Sequence, residues 1–343
     1  MYLSGKESEE LIRALQNDYI IYAPKAYANQ GRYSYTDSIR YGVIEHFSEI
    51  EYQKRSDYAI KEVLIPIRQT VAVEIGNTVV PVAPEETKPI LMFLRTCDLH
   101  ALKRLDQTFG KDAFYQNRRA GMKTVLMECK KGFDTCFCVS MNTNTADQFD
   151  MGVRFEKDGL SLEIRDKELE AYLPAAGKDD DYSFAFVSEN EMKVRTPKIR
   201  EWDWQTQAEI KDMDLWKAYE KRCIGCGSCN MACSTCTCVQ EKRVPAVDGK
   251  ITEIQRVWGG CQVVTTHALS KNPVTAIVPK RIRQRVMDKF YRPTLKESKE
   301  QICVGCGRCI DICPRLINFG TTVNRFCDEL DQLYEASGAT NEQ

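Results

Sequence analysis

The chain has 343 residues, with 48 lysines and arginines against 49 aspartates and glutamates for a formal net charge of −1. That balance excludes the overall electropositive field expected of a nucleic-acid-binding protein. Sixteen cysteines, behind a charged MYLSGKESEELIR start that lacks a secretory signal, point to a reducing cytoplasm and to thiols kept for metal rather than disulfides.

No apolar run approaches the roughly 18 residues of a membrane span, so a direct span is not expected. SEELIRALQ reads as an amphipathic helix, followed by polar, tyrosine-rich sequence with little pattern. From Lys61 the composition turns to β: KEVLIPI, VAVEI, a Gly76-Asn77 turn and TVVPVA predict a small sheet, with Pro66 and Pro81 at edges or bulges. Ile90 to Leu94 reads as a fully buried strand, and a helix is expected from about Asp98, a suitable cap. Cys97 then stands at that strand's C-terminal end. A charged helix around Phe114 to Arg119 precedes a second buried strand, KTVLMEC, ending at Cys129. In KKGFDTCFCVS, Cys136 and Cys138 lie on a loop reaching back to the same edge, where open α/β sheets bind ligands. VRFEKDG, a turn at Asp158-Gly159 and LSLEI read as further β, and Ser183 to Val187 as another short strand. EMKVRTPKIREWDW reads as a connection, and Gln205 to Arg222 as a helix. Helical character recurs over residues 262–269 and 281–290. The expected architecture is an α/β domain with a mixed sheet over 1–203, an α-helical dicluster ferredoxin-like domain over 204–336, and a frayed tail over 337–343.

Two cysteine runs dominate the second half: Cys223-x2-Cys226-x2-Cys229-x3-Cys233 and Cys303-x2-Cys306-x2-Cys309-x3-Cys313-Pro314. A short loop wraps three thiolates around three corners of a [4Fe-4S] cubane, and the fourth cysteine of each run serves the other cluster. The spacing therefore assigns cluster one to Cys223, Cys226, Cys229 and Cys313, and cluster two to Cys303, Cys306, Cys309 and Cys233. Structural zinc would more usually show two separated Cys-x2-Cys hooks. Within CSTCTC, Cys236 is the alternative outer ligand to Cys233. Cys97, Cys129, Cys136 and Cys138 share no spacing motif, but their convergence on one sheet edge would make a third [4Fe-4S] site, with zinc or ordinary buried thiols as the other readings. His100 reads as a donor to cluster sulfur or a satisfied core histidine. Cys236, Cys238, Cys261 and Cys327 remain as cluster-lining or core thiols. Lys280, Arg281, Arg283, Arg285, Lys289 and Arg292 read as a docking patch or the solvated face of a helix.

RTCDLHAL, Cys129 with CFC, CIGCGSCNMACSTCTC, WGGC and CVGCGRCIDICP together resemble the iron-sulfur A subunit of anaerobic sulfite reductase, over most of the chain. Iron-sulfur beta subunits of cytoplasmic sulfhydrogenases are similar. The resemblance implies a cytoplasmic, non-catalytic electron-transfer subunit that relays single electrons from an NADH-oxidising flavin subunit to a sirohaem subunit reducing sulfite to sulfide. The alternative is an electron-transfer subunit of a hydrogenase or sulfhydrogenase. The chain itself shows no flavin or nicotinamide fingerprint.

Overall fold

The computed structural model describes residues 1–178, 180–198, 204–263, 278–291 and 300–336. The first half is built on strands β1 (Tyr2–Ser4), β2 (Ile20–Tyr27), β3 (Ser38–Val43), β6 (Ile90–Leu94), β7 (Lys123–Met127), β8 (Met151–Glu156) and β9 (Gly159–Ile164), in the order β1-β9-β8-β7-β6-β2-β3. The sheet is mixed: β2, β6, β7 and β8 run parallel in its centre, while β3, β9 and β1 join antiparallel.

Helix α1 (Gly5–Leu15) starts at a capping box, in which the Ser4 amide donates to the Glu7 carboxylate at 2.7 Å and the Glu7 amide donates to Ser4 Oγ. Its Leu11, Ile12 and Leu15 join Leu91, Phe93, Val125 and Met127 in the core on one sheet face. Ile90, Met92, Leu94 and Leu126 point to the other face, where α3 (Thr96–Phe109) supplies Leu99, Leu102 and Leu105. Burial on both faces explains why β6 and β7 read as unbroken apolar runs. Helix α4 (Ala113–Arg119) returns the chain to β7, with Asp112 capping it through the Tyr115 amide.

Several local expectations are corrected. KEVL forms the one-turn helix α2 (Lys61–Leu64) rather than a strand. Lys61, Val63, Leu64 and Ile65 are all buried, leaving no alternation between core and solvent for a strand to use. Ser183 to Val187 is irregular: the Ala185 amide donates to Glu128 Oε1 at 2.7 Å in place of a neighbouring strand, and Phe184 packs on Phe149 and Phe186. The helix after β6 begins at Thr96, so Cys97 lies in its first turn, and Asp98 is a buried ion-pair partner instead of a cap. The helix expected over Gln205 to Arg222 is broken at Met213 (ψ 135°) into α6 (Trp204–Asp212) and α7 (Asp214–Lys217).

The largely helical second half contains α8 (Ser228–Met231), α9 (Val278–Val286) with a π-helical continuation over Met287–Tyr291, α10 (Arg308–Asp311) and α11 (Phe319–Ala336). Ile210, Leu215, Trp216, Val286, Phe290, Val323, Phe326 and Leu330 form its core, and Cys223, Cys303, Cys309 and Cys313 pack on the rim. This half also carries a hairpin, β10 (Val239–Pro245) and β11 (Ile251–Trp258), that the periodicity does not predict. It completes an antiparallel sheet, β10-β11-β4-β5, with β4 (Arg68–Ile75) and β5 (Thr78–Pro81) of the first half. The expected helix over residues 262–269 lies almost wholly, and the 337–343 tail wholly, outside the described residues. No described helix is long and apolar enough to cross a membrane.

Candidate metal centres

Each cysteine run wraps a loop and enters a single helical turn, α8 or α10, directly after a glycine in the left-handed region, Gly227 at φ 79° or Gly307 at φ 72°. Two cavities result. One is lined by Cys223, Cys226, Cys229, Cys309 and Cys313, with Ile282, Ile317 and Phe319 as its apolar wall. The other is lined by Cys303, Cys306, Cys309 and Cys233, with Phe137, Val304 and Phe319. Each cavity thus draws cysteines from both runs, Cys309 borders both, and Cys236 lines neither.

The basic run around α9 is corrected at three of its residues, which form neither a docking patch nor a solvated face, while Arg283 is half-buried. Arg281, Arg285 and Lys289 are buried. Arg285 borders both cavities, donates to the Cys229 carbonyl at 3.2 Å and has Nη1 buried without a hydrogen-bond partner. Lys289 donates to Thr235 Oγ1 at 2.9 Å. Burial pushes the Cys229 thiol up to about 12 despite Arg285, and Cys309 up to about 11. Burial also raises Cys233, but Lys289 and Arg285 outweigh it and bring that thiol down to about 7. Buried cations facing thiols, with an orphaned guanidinium N–H between the two cavities, fit anionic thiolate-bound clusters.

The N-terminal cysteines are drawn toward the second run. Cys136 and Cys138 sit on a loop laid directly over it: the Phe137 amide donates to the Gly305 carbonyl at 2.8 Å. A Cβ at Gly305 would stand 2.5 Å from the Phe137 carbonyl carbon, so this approach requires glycine there. Arg55 Nη1 donates to Cys136 Sγ at 3.1 Å and also to the Cys306 carbonyl. Asn190 Oδ1 accepts from the Cys138 thiol at 3.5 Å. Burial raises Cys97, which also feels Cys306 and Cys138; Cys136 and Cys138 both feel Cys129. Cys129 is half-buried, its thiol turned to the Lys131 carbonyl. His100 contacts the Thr145 carbonyl at 2.8 Å, the satisfied-histidine reading.

Sequence reasoning missed the anchor of this junction. Arg308, from CVGCGRC, makes a bidentate pair with Asp98 at 2.7 and 2.6 Å, both side chains fully buried, and donates to Ser56. Tyr41 donates to the same carboxylate. The available signal was an arginine between the second and third cysteines of the run, where the other intervening residues from Cys303 to Cys309 are valine and glycines.

Residues 222–317 match the family model of the 4Fe-4S dicluster domain. The subunit beta of sulfhydrogenase 2 from Pyrococcus furiosus is 23% identical over 313 residues, covering 87% of this chain and 89% of that protein. No solved structure matches. The chain therefore carries a two-cluster iron-sulfur region, an electron-transferring element, within a sequence distantly related to that sulfhydrogenase subunit.

Proposed function

We propose that this chain is an iron-sulfur relay subunit of a hydrogenase or sulfhydrogenase assembly, passing single electrons between partner subunits without itself transforming a substrate. The observation that carries the reading is the pair of cysteine-lined cavities that each draw thiols from both runs, flanked by buried cations. In this reading Cys223, Cys226, Cys229 and Cys313 hold cluster one, and Cys303, Cys306, Cys309 and Cys233 hold cluster two. Cys97, Cys129, Cys136 and Cys138 hold a third cubane, supported by their mutual electrostatic influence beside Cys306. The relative matched along most of the chain favours the sulfhydrogenase setting.

The second reading, transfer from a flavin subunit to a sirohaem subunit that reduces sulfite, is supported by the CFC and CSTCTC segments. Affinity isolation of the full chain with its native partners separates the two. Nickel in the co-purified complex supports the first, a sirohaem absorption band the second, and a chain lacking iron overturns both. Cys97→Ser tests the third centre: the dicluster resonances persist while about four irons are lost.

A further inference from the structure

Three thiols outside these twelve meet at one place. The hairpin β10–β11 leaves from Cys238 and returns to Cys261. Its base is closed by the Val239 to Trp258 pairing and by the Gly259 amide donating to the Cys238 carbonyl at 2.9 Å. Cys236 joins from the other side, two residues before Cys238 in CSTCTC. Asn230, 1% exposed, spans the set, its Nδ2 donating to Cys236 Sγ at 3.5 Å and Cys261 Sγ at 3.4 Å. Gly260 admits it, since a Cβ there would meet the Asn230 side chain at 2.6 Å.

A second, independent feature is Lys61, reaching in from α2 and 2% exposed. Its ammonium donates to the Cys236 carbonyl at 3.0 Å and lies 3.8 Å from the centre of the Trp258 ring. Among the described residues no carboxylate pairs with it. A buried ammonium in this setting calls for negative charge on the thiol side.

We infer that Cys236, Cys238 and Cys261 hold a further iron-sulfur centre, a [4Fe-4S] cluster bound by three thiolates whose fourth iron takes a ligand other than cysteine. A structural zinc takes four cysteine or histidine ligands, whereas three thiolates suit a cluster whose fourth iron is otherwise ligated. The amide donor between two sulfurs is of the kind that tunes a cluster. The remaining cysteine, Cys327, is 1% exposed in the core of α11 with its thiol on the Arg195 carbonyl, so it does not supply the fourth corner. Cys238 is exposed, which turns that side of the centre toward solvent.

The inference requires iron-sulfur loading but no particular partner. Iron, zinc and acid-labile sulfide are measured on the anaerobically isolated full chain and on Cys238→Ala, Cys261→Ala and Cys306→Ser chains. The alanine variants are expected to lose about four irons and four sulfides each while keeping the dicluster resonances. Unchanged iron in both, or loss of zinc instead, overturns the inference, and iron loss confined to Cys306→Ser leaves the relay reading standing without it. Alkylation of the wild-type holoprotein does not depend on any variant folding. Exposed Cys238 is expected to resist iodoacetamide until the iron is chelated away, and its labelling in the loaded protein overturns the site.

Discussion

At the scale of single residues, the cations set what the cysteines can do. A cubane gains negative charge on reduction, so a buried guanidinium beside it favours the reduced form. Arg285→Met is expected to lower the potential of the adjoining centres by roughly 60 mV, the one-electron equivalent of a tenfold change in equilibrium, read by potentiometric titration of the paramagnetic signals. Arg308→Met leaves Asp98 charged, buried and unpaired, a loss of about 3–5 kcal/mol that an anaerobic denaturant titration measures. Pairing it with Asp98→Leu is expected to recover much of that loss, because the desolvated carboxylate is then gone. The cysteines were legible in the sequence because a cubane's reach dictates their spacing. The cations were not: a run such as Arg281 to Lys289 looks alike whether it meets solvent or sulfur, and only the packing of α9 on two cavities decides.

At the scale of elements, the central strands were legible for a related reason. β6 and β7 are buried on both faces and spell that burial as continuous apolar sequence. The hairpin β10–β11 was not, because VQEKRVP is mostly exposed, ITEIQRVW buries neighbouring Ile254 and Gln255 without a clean alternation, and the pair is ordered through β4, far away in sequence. α2 was misread because its burial comes from the second half of the chain, through Trp258 and Cys236. β4 lies inside the four-stranded sheet, between β11 and β5. Val73→Pro removes a ladder donor from it and is expected to cost about 3 kcal/mol. Hydrogen exchange reports the result as faster exchange at residues 239–258, with the amides of β6 and β7 unaffected.

At the scale of the whole molecule, the halves are interlocked. The Cys136 to Cys138 loop lies on the second run, Arg55 pairs with Asp311, Arg308 pairs with Asp98, and the β10–β11 hairpin extends a sheet begun by β4 and β5. The helical core, by contrast, has cysteines on its rim. Anaerobic removal of iron by a chelator is therefore expected to loosen α7, α9 and α11 while sparing the seven-stranded sheet, seen as exchange protection lost over 204–336 and kept over 90–127. The crossed cavities also constrain how the protein is born. A ribosome that has released Cys223 to Cys233 has made only part of either site, because Cys313 and the whole second run are still unsynthesised. The second cavity does not gather its thiols before residue 309 emerges, nor the first its full set before residue 313, so complete insertion of both clusters belongs after synthesis of this region, and a chain truncated between the runs reaches the assembly machinery with neither set complete.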